Sequence, residues 1–153
     1  MTAGTLGIVV RLWAWAALLR PLKYALPLAT LVRLVHTRRR AASRSSDFER
    51  RLEGYLSASG SFPRRAPSNC LERSLGAYRL LCRANASPML VVGLRRSDAL
   101  GVEGHVWVVV DGRPLAERAA DVATYTRILT FDPDARQEPS GGSAAALAGI
   151  RFA

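Results

Sequence analysis

A chain of 153 residues, 49% of them hydrophobic, has room for one compact domain and an appendage, and excludes a large multidomain enzyme. Two cysteines are too few for a disulfide-stapled scaffold or a four-thiolate zinc site, so a reducing compartment, the cytoplasm, is expected. All but one of the 22 basic residues are arginine, which favours bidentate contacts with carboxylate or phosphate groups.

Charge divides the chain in two. Residues 1 to 46 hold Arg11, Arg20, Lys23, Arg33, Arg38, Arg39, Arg40 and Arg44 and no acid, whereas from Asp47 onward 14 basic residues nearly balance 12 acidic ones. This places a boundary between Arg40 and Asp47. Residues 1–46 read as a basic amphipathic helical region, and residues 47–153 as a body able to bury a core of its own.

In the first part, Leu6 to Leu19 and Leu22 to Val35 are apolar stretches interrupted by arginines, with Pro21 and Pro27 as breaks. The pattern predicts two or three short amphipathic helices. A spanning helix needs roughly 18 consecutive apolar residues, and no such run survives the arginines and prolines. A secretory signal is also rejected, because Met1 to Val10 carries no basic residue ahead of the apolar stretch. Trp13, Trp15 and Tyr24 among arginines suit a membrane surface, nucleic acid or a partner protein. Covering the body's own core weighs as much as those three roles together.

Asp47 to Leu56 has helical spacing, and Ser57 to Pro67 reads as a loop. The clearest helix then opens at Cys70, with Leu71, Leu75, Tyr78 and Cys82 on one stripe and Leu81 beside it. Asn69 as N-cap and Glu72 three residues on resemble a capping box, and Asn85 and Pro88 end the helix. Met89 to Leu94 is a short apolar run. His105 to Val110 is the strongest strand signal, joined through Asp111-Gly112 to Arg113–Ala116 as a β-hairpin. Tyr125 to Phe131 reads as a further strand, and Gln137 to Ala148 as loop or frayed terminus. One helix followed by antiparallel strands is an α+β arrangement.

Cys70 at a helix start carries specific chemistry. The unpaired N–H groups and positive dipole end favour a thiolate there, and the same N–H groups can hold the oxyanion formed when it attacks an amide carbonyl. Cys82 lies about 120 degrees further around a regular helix and reads as a core residue. The leaving amine needs a proton donor, and His105 is the only histidine of the body. His36, in a basic run, reads as a solvated neighbour of Arg38. For the group that orients the imidazole, hairpin geometry favours Glu117. A three-residue loop of Val110, Asp111 and Gly112 would pair Val109 with Arg113 and His105 with Glu117 on one face, whereas a two-residue loop would flip Glu117 to the other. Asp121 is held in reserve, and Asp111 is assigned to the turn.

The stretches Asn69-Cys70-Leu71-Glu72-Arg73-Ser74-Leu75, Val91-Val92-Gly93-Leu94 and Gly104-His105-Val106-Trp107-Val108-Val109-Val110-Asp111-Gly112-Arg113-Pro114-Leu115 resemble the transglutaminase-like cysteine peptidases of lasso-peptide biosynthesis, in their free-standing leader-peptidase form. The likeness covers about residues 65 to 132, and the basic, Leu/Trp-rich region ahead of it is similar to that of the split form. The resemblance implies a papain-like Cys-His-acid triad that removes the leader from a ribosomally made precursor, before a separate ATP-using cyclase closes the macrolactam. It makes Cys70 the nucleophile and His105 the general base and acid. The family's third residue is usually an aspartate, where this chain has Glu117. Val106 and Val109 also depart from the family's usual alanine and acidic residue.

No cofactor is evident, since no Gly-rich phosphate loop or metal-ligand cluster is readable. The resemblance implies ATP dependence in some fused relatives and, for the split form, a separate leader-binding protein. That protein, the cyclase or an acidic membrane surface is the expected partner of the basic segment, and nucleic acid is not expected. Two rivals stand beside this reading. One is a transglutaminase or amidase using the same triad with an amine acceptor. The other is a non-enzymatic basic adaptor that binds nucleic acid or membrane.

Overall fold

The computed structural model describes residues 3–37, 43–58, 70–97 and 101–139. Four helices come first, α1 (Ala3–Ala25), α2 (Leu28–Val35), α3 (Ser46–Ala58) and α4 (Cys70–Arg83), then strands β1 (Pro88–Ser97), β2 (Gly101–Val110) and β3 (Arg113–Pro114). A short helix α5 (Ala119–Val122) precedes β4 (Thr126–Phe131) and β5 (Gln137–Pro139). The strands form one antiparallel sheet in the order β3-β2-β1-β4-β5, so the chain has the expected α+β architecture.

Helix α4 occupies the centre. Ten of its residues are buried, far more than one stripe, because the sheet covers one side and α1 and α2 cover the other. Its buried Glu72 and Ser74 find polar partners within that enclosure, and Arg73, Arg79 and Arg83 keep a partly exposed flank. Leu75, Tyr78 and Leu81 share one core with Leu90 and Val92 of β1, Val106 and Val108 of β2, and Leu129 and Phe131 of β4. Ile8, Leu12, Ala16 and Leu19 of α1 and Leu31, Val32 and Val35 of α2 belong to that same core, so the basic segment covers the body. Gly76 allows the close approach, since a Cβ there would stand 3.0 Å from Leu12 Cδ2. Arg79 of α4 lies over the Trp15 ring of α1 at 4.2 Å and donates to the Val35 carbonyl of α2 at 2.9 Å. Among the described residues no helix is long and apolar enough to cross a membrane.

Pro21 does not break the first helix as expected: α1 runs through it as one element of 23 residues. Pro21 forfeits one hydrogen bond and crowds the carbonyl four residues back, but it is exposed near the end of α1, its fixed φ suits a helix, and Leu19 and Leu22 beside it pack into the core. Helix α4 ends where expected. Asn85 takes a left-handed φ of 59°, and the N–H groups of Asn85 and Ala86 reach back to the Cys82 and Leu81 carbonyls, a Schellman cap. Residues 137–139, expected as loop, pair with β4 as an edge strand, and the rest of that expected tail lies outside the described residues.

The hairpin register also differs from expectation. Val110 pairs with Arg113 and Val109 with Pro114, so the loop is the two-residue Asp111-Gly112, both with positive φ, 51° and 75°. Such a turn matches the strand twist. Continued regularly, that register would turn Glu117 to the opposite face from His105. It does not continue, because Ala116 has φ 58° and bends the chain out of the ladder just before Glu117. Behind β2 and β1, on the face away from α4, Val91, Trp107 and Val109 pack with Val122, and Gly93 leaves room for the Trp107 ring and Tyr125.

Two substitutions test this arrangement. Ala116→Val adds a branched side chain where φ is left-handed and should destabilise by about 1–2 kcal/mol, while Ala116→Gly should be neutral or stabilising, read from denaturant midpoints. Gly93→Ala would bring a Cβ to 2.8 Å from Trp107 and 2.9 Å from Tyr125 Cβ, and should lower stability by about 1–3 kcal/mol in the same assay.

Candidate active site

Cys70 is the first residue of α4, with its thiol half-buried and free. The helix's unpaired first-turn N–H groups surround this position. One turn later Ser74 Oγ donates 2.8 Å to the carbonyl of Val106, the neighbour of His105 on β2. That buried bond fixes the start of α4 against the strand that carries the imidazole.

Glu72 does not serve the capping box that its spacing suggested. Its carboxylate is 1% exposed and turns to α1, where Lys23 Nζ lies 3.1 Å from Oε1 and Arg20 Nε 3.8 Å from Oε2. A carboxylate removed from water requires such counter-charges, and α1 supplies them. Asn69, the other member of the expected box, lies outside the described residues.

The His105 imidazole is held on several sides. It stacks on Trp107, two residues on and so on the same strand face, with ring centroids 5.8 Å apart, and packs at a tilt against Tyr125 at 5.1 Å. Its Nε2 lies 2.7 Å from Glu117 Oε2, and Cys70 at the start of α4 also acts on the ring, favouring its charged form. Burial works against a charged imidazole here, but the contacts with Cys70 and Glu117 outweigh it and push the His105 pKa up to about 9. The structure thus brings together Cys70, His105 and Glu117. It does so with Glu117 delivered by the Ala116 bend and not by the expected three-residue loop.

The remaining candidates are elsewhere. Asp111 sits in the hairpin turn and accepts two bonds from Arg44, at 2.6 and 3.1 Å, which hold its carboxyl below the usual range. Asp121 is exposed on α5, where its main-chain carbonyl accepts from Thr124. Cys82 is buried and points its Sγ at the Pro133 carbonyl, 3.8 Å away. His36, expected in solvent, is half-buried and caps α2 with its N–H on Val32 O. Among the described residues no cluster of His, Cys, Asp or Glu could hold a metal ion.

Sequence reasoning missed the group that braces the imidazole from behind. The Tyr125 hydroxyl donates 2.9 Å to Glu103 Oε1, Arg95 Nε donates 3.0 Å to Glu103 Oε2, and the Arg95 guanidinium lies 4.6 Å from the Tyr125 ring centre. Burial and the bond to Glu103 push the Tyr125 pKa up to about 12, while Tyr125 and Arg95 hold the Glu103 carboxyl low. Arg95 and Glu103 pair across the β1–β2 hairpin, which an opposite-charge search over paired strands could have found. Tyr125 comes from the far side of α5 and has no local signal.

No curated protein and no solved structure matches the chain. The sequence profile of the transglutaminase-like superfamily matches residues 10–130, beginning inside α1 and ending in β4. That span includes Cys70, His105 and Glu117 and most of the chain. The chain belongs to the transglutaminase-like superfamily, which includes cysteine peptidases and acyltransferases.

Proposed function

We propose that the chain is a cysteine peptidase in which Cys70, His105 and Glu117 act as nucleophile, acid and base, and orienting carboxylate. The observation that carries this reading is the Glu117 carboxylate 2.7 Å from His105 Nε2, with Cys70 at the tip of α4 acting on the same imidazole and helping to raise its pKa. With Nε2 engaged by Glu117, Nδ1 is the ring nitrogen left to exchange a proton with sulfur. The Cys70 sulfur attacks the carbonyl carbon of a peptide bond, and first-turn N–H groups of α4 receive the oxyanion. The imidazolium gives its proton to the leaving nitrogen as the C–N bond breaks. Neutral His105 then takes a proton from water, whose oxygen attacks the thioester, releasing a carboxylate and the sulfur.

The substrate class we infer is the leader segment of a ribosomally made lasso precursor, supported by the resemblance of the Cys70, Val91–Leu94 and Gly104–Leu115 stretches. A separate leader-binding protein is the partner this reading calls for. Incubating purified chain with a candidate precursor, with and without that protein, tests it. The expected products are two peptides whose summed mass exceeds the precursor by one water, whereas loss of ammonia would mark an amine acceptor and acyl transfer. Cys70→Ala should abolish cleavage, and cleavage surviving that change would end the mechanism.

The pH profile carries a second prediction. A raised imidazole pKa means the donating form persists above the ordinary histidine range and is lost as pH rises through about 9, so the alkaline limb of kcat should have its midpoint there. Glu117→Gln removes a contact that raises this pKa, so the midpoint should move to lower pH while kcat falls by about 10²–10⁴. An unmoved midpoint would separate Glu117 from the imidazole.

A further inference from the structure

Helix α1 is apolar on two opposite sides. Ile8, Leu12, Ala16 and Leu19 face the core, while Leu6, Val10, Trp13, Ala17 and Tyr24, spaced by three, four and seven residues, form a second stripe turned outward. Val10 is 58% exposed and Tyr24 84%. Six of the seven exposed large apolar side chains among the described residues lie on α1 and α2, with only Val102 elsewhere. Exposed apolar side chains concentrated in this way mark a docking surface.

The charges around the stripe select the partner. Exposed Arg11 and Arg20 flank it and exposed Arg33 lies on α2, while the whole segment up to residue 46 contains no acid. The stripe's neutral hydrogen-bonding groups are the Tyr24 hydroxyl and the Trp13 indole N–H, side chains that suit the polar–apolar boundary of a bilayer. Apolar and aromatic residues between arginines, on a helix unable to cross a bilayer, match a surface of fatty chains under anionic headgroups. We propose that the outward face of α1 seats the protein on an anionic lipid surface, with Leu6, Val10, Trp13 and Tyr24 entering the interface and Arg11 and Arg33 meeting headgroups.

Flotation of the full chain with phosphatidylcholine vesicles, and with vesicles of equal parts phosphatidylcholine and phosphatidylglycerol, tests this. Binding is expected on the mixed vesicles, falling with salt, and weak on phosphatidylcholine alone. Arg11→Gln and Arg33→Gln should each lower partitioning about fivefold. Val10→Glu with Trp13→Glu should remove binding while the thermal midpoint and the thiol reactivity of Cys70 stay unchanged, since both residues face outward. Three results with the chain and vesicles alone would overturn the proposal. They are no binding to the mixed vesicles, binding undiminished in the double variant, or a self-associated chain in solution that the double variant makes monomeric. Capture of the leader-binding protein by this face, lost in the double variant and without vesicle binding, would overturn it in favour of a protein partner.

Discussion

The position of one buried helix decides whether this site exists. Helix α4 carries Cys70 at its tip and is enclosed by the sheet on one side and by α1 and α2 on the other, so its first turn has little freedom to move. The Ser74 bond to the Val106 carbonyl then ties that turn to the strand bearing His105. A sulfur and an imidazole on separate elements meet only when such long-range packing holds both, because proton transfer tolerates errors well below an ångström. The packing of His105 against the neighbouring Trp107 and Tyr125 rings performs the same service for the second partner.

Much of this was legible in the chain because the signals were local. A cysteine beginning a periodic apolar run, a valine-rich strand after a histidine and an Asp-Gly turn each follow from a few adjacent residues. The Schellman cap at Asn85 belongs with them. What escaped was set by tertiary packing. Pro21 reads as a break, but Leu19 and Leu22 on either side pack inward and keep α1 continuous. Glu72 reads as a capping residue, but Lys23 and Arg20, some fifty positions earlier, claim its carboxylate. The sequence points to Glu117 only through a hairpin register that the structure does not have, because an alanine in a left-handed conformation offers no compositional cue, unlike a glycine.

The basic segment shows how composition can mislead about arrangement. Its charge sets it apart from the rest of the chain, while its apolar residues join the same core. Both descriptions hold at once because α1 has two apolar sides. The inner one covers α4, and the outer one accounts for the charge and aromatic content that the core does not use.

The ion pairs beneath Cys70 impose a rule on how this sequence can drift. Lys23 and Glu72 are both largely withdrawn from water, so replacing Glu72 alone strands Lys23, and replacing Lys23 alone leaves the buried Glu72 only the more distant and more exposed Arg20. Neutralising both together is tolerable, since an apolar pair of similar size fills the same volume. The two positions are therefore coupled in energy, and a lysine remote in sequence from the cysteine bears on the stability of the helix that carries it.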